Sequence, residues 1–362
     1  MLNFSNYKHI PLPKLDEADH KPLLTASWLG TSFMDYFHKQ GFVLKEAEPL
    51  VPRTDKSILF TNAFIVACKD LLIASQGLRG QQGLVMYQPC FRAHNLKGDL
   101  LDPTPPAYLS YFHMVGGVCA PESLPKLLDN LWHFFSAILS IEPKRLLFKA
   151  SRKNLFIIEQ LYTREGESRV PLPTIVFEES NPSYYQWSYG ASPLAGSGLT
   201  MALRQADGSY QDFGNIVAIS NAACTLGYEF GFGVETLAAR LLNLRSPLLC
   251  NPIHSCFPEL QEPRFDLIKD LIVAAVVMVN AHVPYGYHGR SDILRKTIKK
   301  IALAIHLKVL STRMVFAAVI HTVRYFHFNQ THIFTVESLI SKALARLEAS
   351  SLKDGKQGHS SL

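Results

Sequence analysis

The sequence predicts an α+β domain followed by an all-α region. Three observations carry that expectation. Short extended runs alternate with helices through the first two thirds, a glycine pair at Gly231 and Gly233 closes the last strand-rich block, and the chain beyond shows helical periodicity only. Of 362 residues, 48% are hydrophobic and 18% charged, which excludes a disordered chain and suffices for a sizeable core.

The first two dozen residues, with Pro11, Pro13 and Pro22, read as a lead-in loop. Trp28, Leu29, Phe33, Tyr36 and Phe37 recur at helical spacing, and Gly41 ends that helix. Phe42-Val43-Leu44 is a short strand, and Ile58-Leu59-Phe60-Thr61 reads as extended. Leu84–Tyr87 and Tyr111–Val115 read as a hairpin whose polar loop carries Lys97, Asp99, Asp102 and three prolines. Leu124–Ile141 is amphipathic; Arg145–Ala150 is a strand leading to a helix through Leu161. Strands are expected at Thr174–Phe177, Leu199–Leu203 and Ile216–Ser220, and helices at Val234–Leu242, Leu267–Val279, Asp292–Leu310 and after Thr312 and Thr335. The expected organisation is a mixed domain over 1–247, a helical domain over 248–349, and a loose polar tail over 350–362.

Leu271–Val279, the longest apolar run, is less than half the length a membrane crossing needs, and the opening Met1-Leu2-Asn3-Phe4 lacks the start of a secretory signal. Six cysteines without a CxxC pair argue for a reducing compartment, so a cytoplasmic protein with no membrane partner is expected. The net charge of +6 permits a polyanionic partner without requiring one.

Motif chemistry alone leaves alternatives open. Gly231 and Gly233 before a helix offer backbone N–H groups to an anion, or close strand–helix packing. Cys250, His254 and Cys256 have donor atoms but poor zinc spacing, so no zinc and no protein-held metal is expected. Arg92, at a strand end, is suited to holding a phosphate or carboxylate through two parallel hydrogen bonds, or is a surface arginine.

Several segments in fixed order then resemble one family. Leu50-Val51-Pro52-Arg53 and Leu59-Phe60-Thr61-Asn62-Ala63 resemble the opening of the alanyl-tRNA synthetase catalytic domain. Gln88-Pro89-Cys90-Phe91-Arg92-Ala93 and Tyr111-Phe112-His113-Met114-Val115-Gly116 are similar to the two strands of its class II motif 2. Tyr185-Gln186-Trp187 and Asp212–Val217 resemble its amino-acid pocket segments, and Glu229–Ala239 resembles motif 3. His288-Gly289-Arg290 with Ile293–Lys300 is similar to the start of the helical domain that follows. The resemblance spans roughly Ser27 to His306.

It implies a class II aminoacyl-tRNA synthetase fold, an antiparallel sheet flanked by helices and followed by a helical domain. It also implies activation of a small amino acid by ATP with Mg2+ as the substrate complex. By that resemblance Arg92 bridges the α-phosphate and the carboxylate. Trp187 and Val217 limit side-chain size, Asn215 polarises the substrate carboxylate, and Glu229, next to Gly231, holds the α-ammonium group. Lys97, Asp99, Phe112, His113 and Arg240 fall on or near the nucleotide side. Arg290, Arg295, Lys296, Lys299 and Lys300 are candidates for a phosphate backbone, or form a solvated helix face.

The departures sit at the triphosphate end. Thr236 stands where the family has the motif 3 arginine, and His113 where motif 2 has glutamate. His288 replaces an asparagine near the helical domain's first turn. The family's editing and oligomerising domains have no counterpart before Leu362, so a stand-alone paralogue is expected. Two functions follow. One is an activating enzyme that passes its adenylate to a tRNA, a carrier-protein thiol or a metabolite amine. The other is an inactive paralogue that binds an amino acid or RNA. A housekeeping synthetase is disfavoured, because a methyl-sized pocket without editing discriminates poorly. No oligomeric state follows from these residues. The first reading expects Arg92 and Glu229 to grip opposite ends of one amino acid.

Overall fold

The computed structural model describes residues 21–53, 55–74, 78, 82–100, 102, 106–162, 174–189, 193–256 and 262–357. The chain divides into two compact units, residues 1–90 with 112–245 and residues 91–111 with 246–362.

The first unit is built on a sheet. In chain order its elements are α1 (Lys21–Lys39), β1 (Val43–Leu44), α2 (Ile65–Ile73), β2 (Gly83–Phe91), β3 (Tyr111–Cys119), α3 (Leu124–His133), β4 (Leu146–Ala150), α4 (Leu155–Tyr162), β5 (Thr174–Phe177), β6 (Gln186–Ser188), β7 (Ala195–Arg204), β8 (Tyr210–Ser220), β9 (Thr225–Gly233) and α5 (Val234–Leu241). The distal residues Phe91 and Tyr111 of β2 and β3 count with the second unit. The strands run β1-β2-β3-β9-β8-β7-β4-β5, with β6 on β7.

β3–β9, β9–β8, β8–β7 and β7–β4 are antiparallel, as expected, but β1–β2 and β4–β5 are parallel. Both parallel pairs are joined by connections carrying a helix, α2 and α4, and a parallel pair requires such a crossover. α1 begins earlier than the apolar spacing indicates, because Pro22 falls in the first turn, where its missing N–H leaves no bond unmade. The residues Ile58–Thr61 are not a strand. They fold into a loop pinned where Thr61 donates its N–H to Leu50 O (2.9 Å) and its hydroxyl to Pro49 O (2.6 Å). The helix expected through Ile141 ends at His133 and passes into a wide helical turn over Phe134–Ile138.

The two faces of the sheet differ in chemistry. On one, Phe230 and Phe232 of β9 meet Phe37 and Phe33 of α1, with ring centroids 5.6 and 5.3 Å apart. Fully buried rings of this size supply most of the burial energy there. The other face is low in bulk, because Gly116, Gly231, Gly198 and Gly196 alternate along β3, β9 and β7. Gly116 lies opposite Gly231, and a Cβ on it would run into the Phe230 carbonyl oxygen. Gly116→Ala is therefore expected to cost more than about 2 kcal/mol in a denaturant titration, since backbone cannot yield as a side-chain tip can.

The second unit is helical: α6 (Pro252–Cys256), α7 (Asp266–Asn280), α8 (Gly289–His306), α9 (Thr312–Tyr325) and α10 (Thr331–Gln357), with residues 91–111. α7 is its centre, buried at every position from Asp266 to Val279, which explains the Leu271–Val279 apolar run without a membrane. Among the described residues no helix is long and apolar enough to cross one. Lys269 and Asp266 are fully buried on α7 and form an ion pair at 2.6 Å, with His254 Nδ1 3.0 Å from the ammonium. α10 continues as helix past Ser350, where a loose tail is expected, because extending an existing helix is far less costly than nucleating one.

Candidate active site

Register decides which side chains share the low-bulk face. Cross-strand partners project to the same side, as do residues two apart on one strand. Asn215 pairs with Gly231, and Val217 with Glu229, so these four expected site residues lie on one face of β8 and β9. Trp187 joins from β6, opposite Gly196. A Cβ on Gly196 would sit 2.8 Å from Val217 Cγ1, 3.0 Å from Trp187 Cβ and 2.5 Å from the Tyr189 hydroxyl, so this glycine is where those three side chains converge. Trp187, Tyr189 and Met114 pack on the cluster that holds Val217, Phe64 and Ile65.

Glu229 is 8% exposed and is fixed from two directions. Its Oε1 accepts the Ile65 N–H at 3.0 Å, at the N-terminus of α2, where the positive end of the helix favours an anion. The Tyr189 hydroxyl approaches Oε2 at 3.5 Å. Burial first, and the Glu229 charge second, push the Tyr189 phenol far above its ordinary value, so it remains a neutral donor. Asn215 donates Nδ2–H to Thr200 Oγ1 at 2.9 Å, which sets the orientation of the amide. Neither Tyr189 nor the α2 N-terminus follows from motif spacing. Tyr189 is 40 residues from Glu229 and Ile65 is 164, and only the fold joins them.

The nucleotide-side candidates divide. Phe112 has the parity of Met114, which pairs with Gly233, and so belongs to the low-bulk face. His113 has the opposite parity and lies on the aromatic face. There Glu235, at the start of α5, accepts the His113 N–H at 2.9 Å and meets Nδ1 at 2.8 Å. This carboxylate extends the β3 ladder beyond its last backbone partner, a structural use of the ring. The Thr236 hydroxyl lies against Gly233. Arg240 is 7% exposed, one turn further along α5, the helix that packs on α1.

The remaining candidates belong to the helical unit. Arg92 directly follows β2 and is exposed, and its N–H donates to Ser110 O at 2.9 Å. Lys97 and Asp99 are exposed at and just after a short helical turn over His94–Lys97. On α8, Arg295 and Lys296 share Asp292, Lys296 at 2.6 Å. The Arg295 guanidinium also lies over the Tyr287 ring, 4.9 Å from its centroid. Lys300 is turned to protein carbonyls, with its ammonium donating to Leu96 O at 3.0 Å and to Gly98 O. Lys299 is exposed and Arg290 half-buried.

Residues 29–153 match the family model of tRNA synthetases class II (A). The alanine–tRNA ligase of Halorhodospira halophila is 29% identical over 125 residues, 34% of this chain and 14% of that protein. That of Legionella pneumophila (strain Lens) is 28% identical over 134 residues, 36% of this chain and 16% of that protein. The chain thus spans about a seventh of the length of the curated relatives it matches. Among solved structures, the asparaginyl-tRNA synthetase of Entamoeba histolytica in complex with asparaginyl-adenylate aligns with TM-score 0.39 at 10% identity, covering 64% of this chain and 66% of that one. The Pyrococcus horikoshii asparaginyl-tRNA synthetase, also with asparaginyl-adenylate, aligns with TM-score 0.38 at 11% identity, covering 64% and 68%. Over residues 29–153 this chain is thus similar to class II tRNA synthetases (A), and alanine–tRNA ligases are among the proteins it resembles there.

Proposed function

We propose that the chain activates a small amino acid with ATP and passes the aminoacyl group from the adenylate to a tRNA or to a non-tRNA acceptor. The observation that supports this most is the shared face of Glu229, Val217, Asn215 and Gly231, with Trp187 against it. A buried carboxylate there is suited to an ammonium group. Trp187 and Val217, which converge at Gly196, would limit the substrate to a short side chain, and Asn215 supplies amide polarity two residues along β8.

In the reaction, a carboxylate oxygen of the amino acid attacks the α-phosphorus of ATP. The new C(O)–O–P bond forms as the Pα–O bond to the β-phosphate breaks, and pyrophosphate leaves with that electron pair. No proton need move, so the protein's task is alignment and charge stabilisation. Glu229 holds the ammonium end, and Phe112 offers a ring to the adenine. By its motif 2 position, Arg92 would donate to the oxygens on which charge accumulates. Magnesium travels with the triphosphate, whose oxygens are its natural ligands; among the described residues no group of three His, Cys, Asp or Glu side chains is assigned to it.

The test is amino-acid-dependent exchange of labelled pyrophosphate into ATP with glycine, alanine and serine. Saturable exchange with one of these is the expected result, and no exchange with any of them overturns the reading.

A second reading, a binding module without activation, is supported by Thr236 at the motif 3 position and by Arg240, buried in α5. A neutral hydroxyl cannot replace a planar cation. Calorimetry showing amino-acid binding with no ATP binding would establish it.

A further inference from the structure

The loop that carries Arg92 is held at both flanks by two buried or half-buried side chains, Asp270 of α7 and Lys300 of α8. Asp270 on α7 is 1% exposed and faces the loop's two ends at once. Its Oδ1 accepts the Ser110 N–H at 2.8 Å, and its Oδ2 accepts the Ser110 hydroxyl at 2.5 Å and an Asn95 amide N–H at 2.9 Å. The Asn95 amide also donates to Tyr108 O at 2.6 Å, so one side chain ties the outgoing flank to the returning one. Lys300 on α8 caps the short turn after Arg92 by donating to the carbonyls of Leu96 and Gly98. Arg92 itself is bonded through its N–H to Ser110 O, the residue that Asp270 grips twice.

An ordinary structural anchor does not call for a carboxylate inside a helix core. Burial pushes the Asp270 carboxyl up, while hydrogen bonds from Ser110 and Asn95 pull it back down. A buried carboxyl that takes three hydrogen bonds from two residues fixes one geometry of the segments it joins. Here that geometry is the path of the chain on both sides of the guanidinium.

We propose that Asp270 and Lys300 are positioning residues for Arg92, which set the register of its loop and thereby the aim of its guanidinium. This rests on the activation reading above for its chemical consequence, but not for the anchoring itself. Displacing a transition-state donor by an ångström costs about 100-fold in rate, so Asp270→Asn and Lys300→Met should act mainly on kcat and on KM for ATP, with KM for the amino acid little changed.

Two measurements on the full chain test it. In pyrophosphate exchange, Asp270→Asn is combined with Arg92→Ala in a double-mutant cycle. If Asp270 acts through Arg92, its effect vanishes in the Arg92→Ala background; an undiminished, additive effect overturns the proposal. In amide hydrogen exchange, each anchor variant should speed exchange at Arg92 and Ser110 by about tenfold, with α7 and the sheet unchanged. Unchanged rates at those two amides overturn it, as does faster exchange throughout the helical unit, which would make Asp270 a general stability residue. If the wild-type chain shows no pyrophosphate exchange, the activation reading fails, and the amide measurement alone decides the anchoring.

Discussion

Arg92→Ala should slow adenylate formation to a small but measurable residue and leave the protein folded. The side chain is exposed, and one bond this position contributes to its loop, from N–H to Ser110 O at 2.9 Å, is a backbone bond that alanine keeps. The thermal midpoint should therefore shift by no more than a surface substitution does, within about 0.5 kcal/mol. The rate should fall by about 100-fold to 1,000-fold, the cost of deleting one preorganised donor aimed at developing charge. Arg92→Lys separates charge from geometry. Lysine keeps the cation but not the planar fork that binds two oxygens at once, so most of the loss should persist. Rates are read from pyrophosphate exchange and folding from circular dichroism. An Arg92→Ala protein with wild-type kinetics would remove Arg92 from the chemistry altogether.

Much of this was legible before any coordinates. Helical spacing found α1, and the alternating runs found β4, β7 and β8, whereas it is strand register that sets Trp187, Asn215, Val217 and Glu229 on one sheet face. What escaped was set by tertiary contacts. α2, with the sequence Ile65-Val66-Ala67-Cys68-Lys69-Asp70-Leu71-Leu72-Ile73, is short and apolar on nearly every side, so periodicity cannot separate it from a strand. Its N-terminus nevertheless fixes the Glu229 carboxylate. A motif position does not give the parity of a residue: His113 projects to the face opposite Met114, against Glu235. The basic run on α8 shows the same limit. Charge along a helix can be counted in a sequence, whereas the use of Lys300 to hold Leu96 and Gly98 requires two segments about 200 residues apart to meet.

Glu229→Gln tests the other end of the substrate, and a companion variant is needed because this carboxylate has two functions. One is local: Oε1 accepts the first N–H of α2, and glutamine's carbonyl oxygen can accept the same bond. The fold should survive with a small change in thermal midpoint. The other is recognition. A charge-assisted hydrogen bond contributes about 1.5–3 kcal/mol, so replacing carboxylate by amide should raise KM for the amino acid about 10-fold to 100-fold. KM for ATP should stay near the wild-type value. Glu229→Ala removes both functions, and the uncapped helix should cost a further 1 kcal/mol or so of stability, measured by denaturant titration. The contrast between the variants carries the inference. Loss of stability in alanine alone, with amino-acid KM raised in both, assigns the charge to the substrate ammonium. Equal KM in wild type and Glu229→Gln would reduce Glu229 to the residue that caps α2. The substrate end would then have to be sought among Tyr189, Asn215 and Trp187, which share that face without a formal charge.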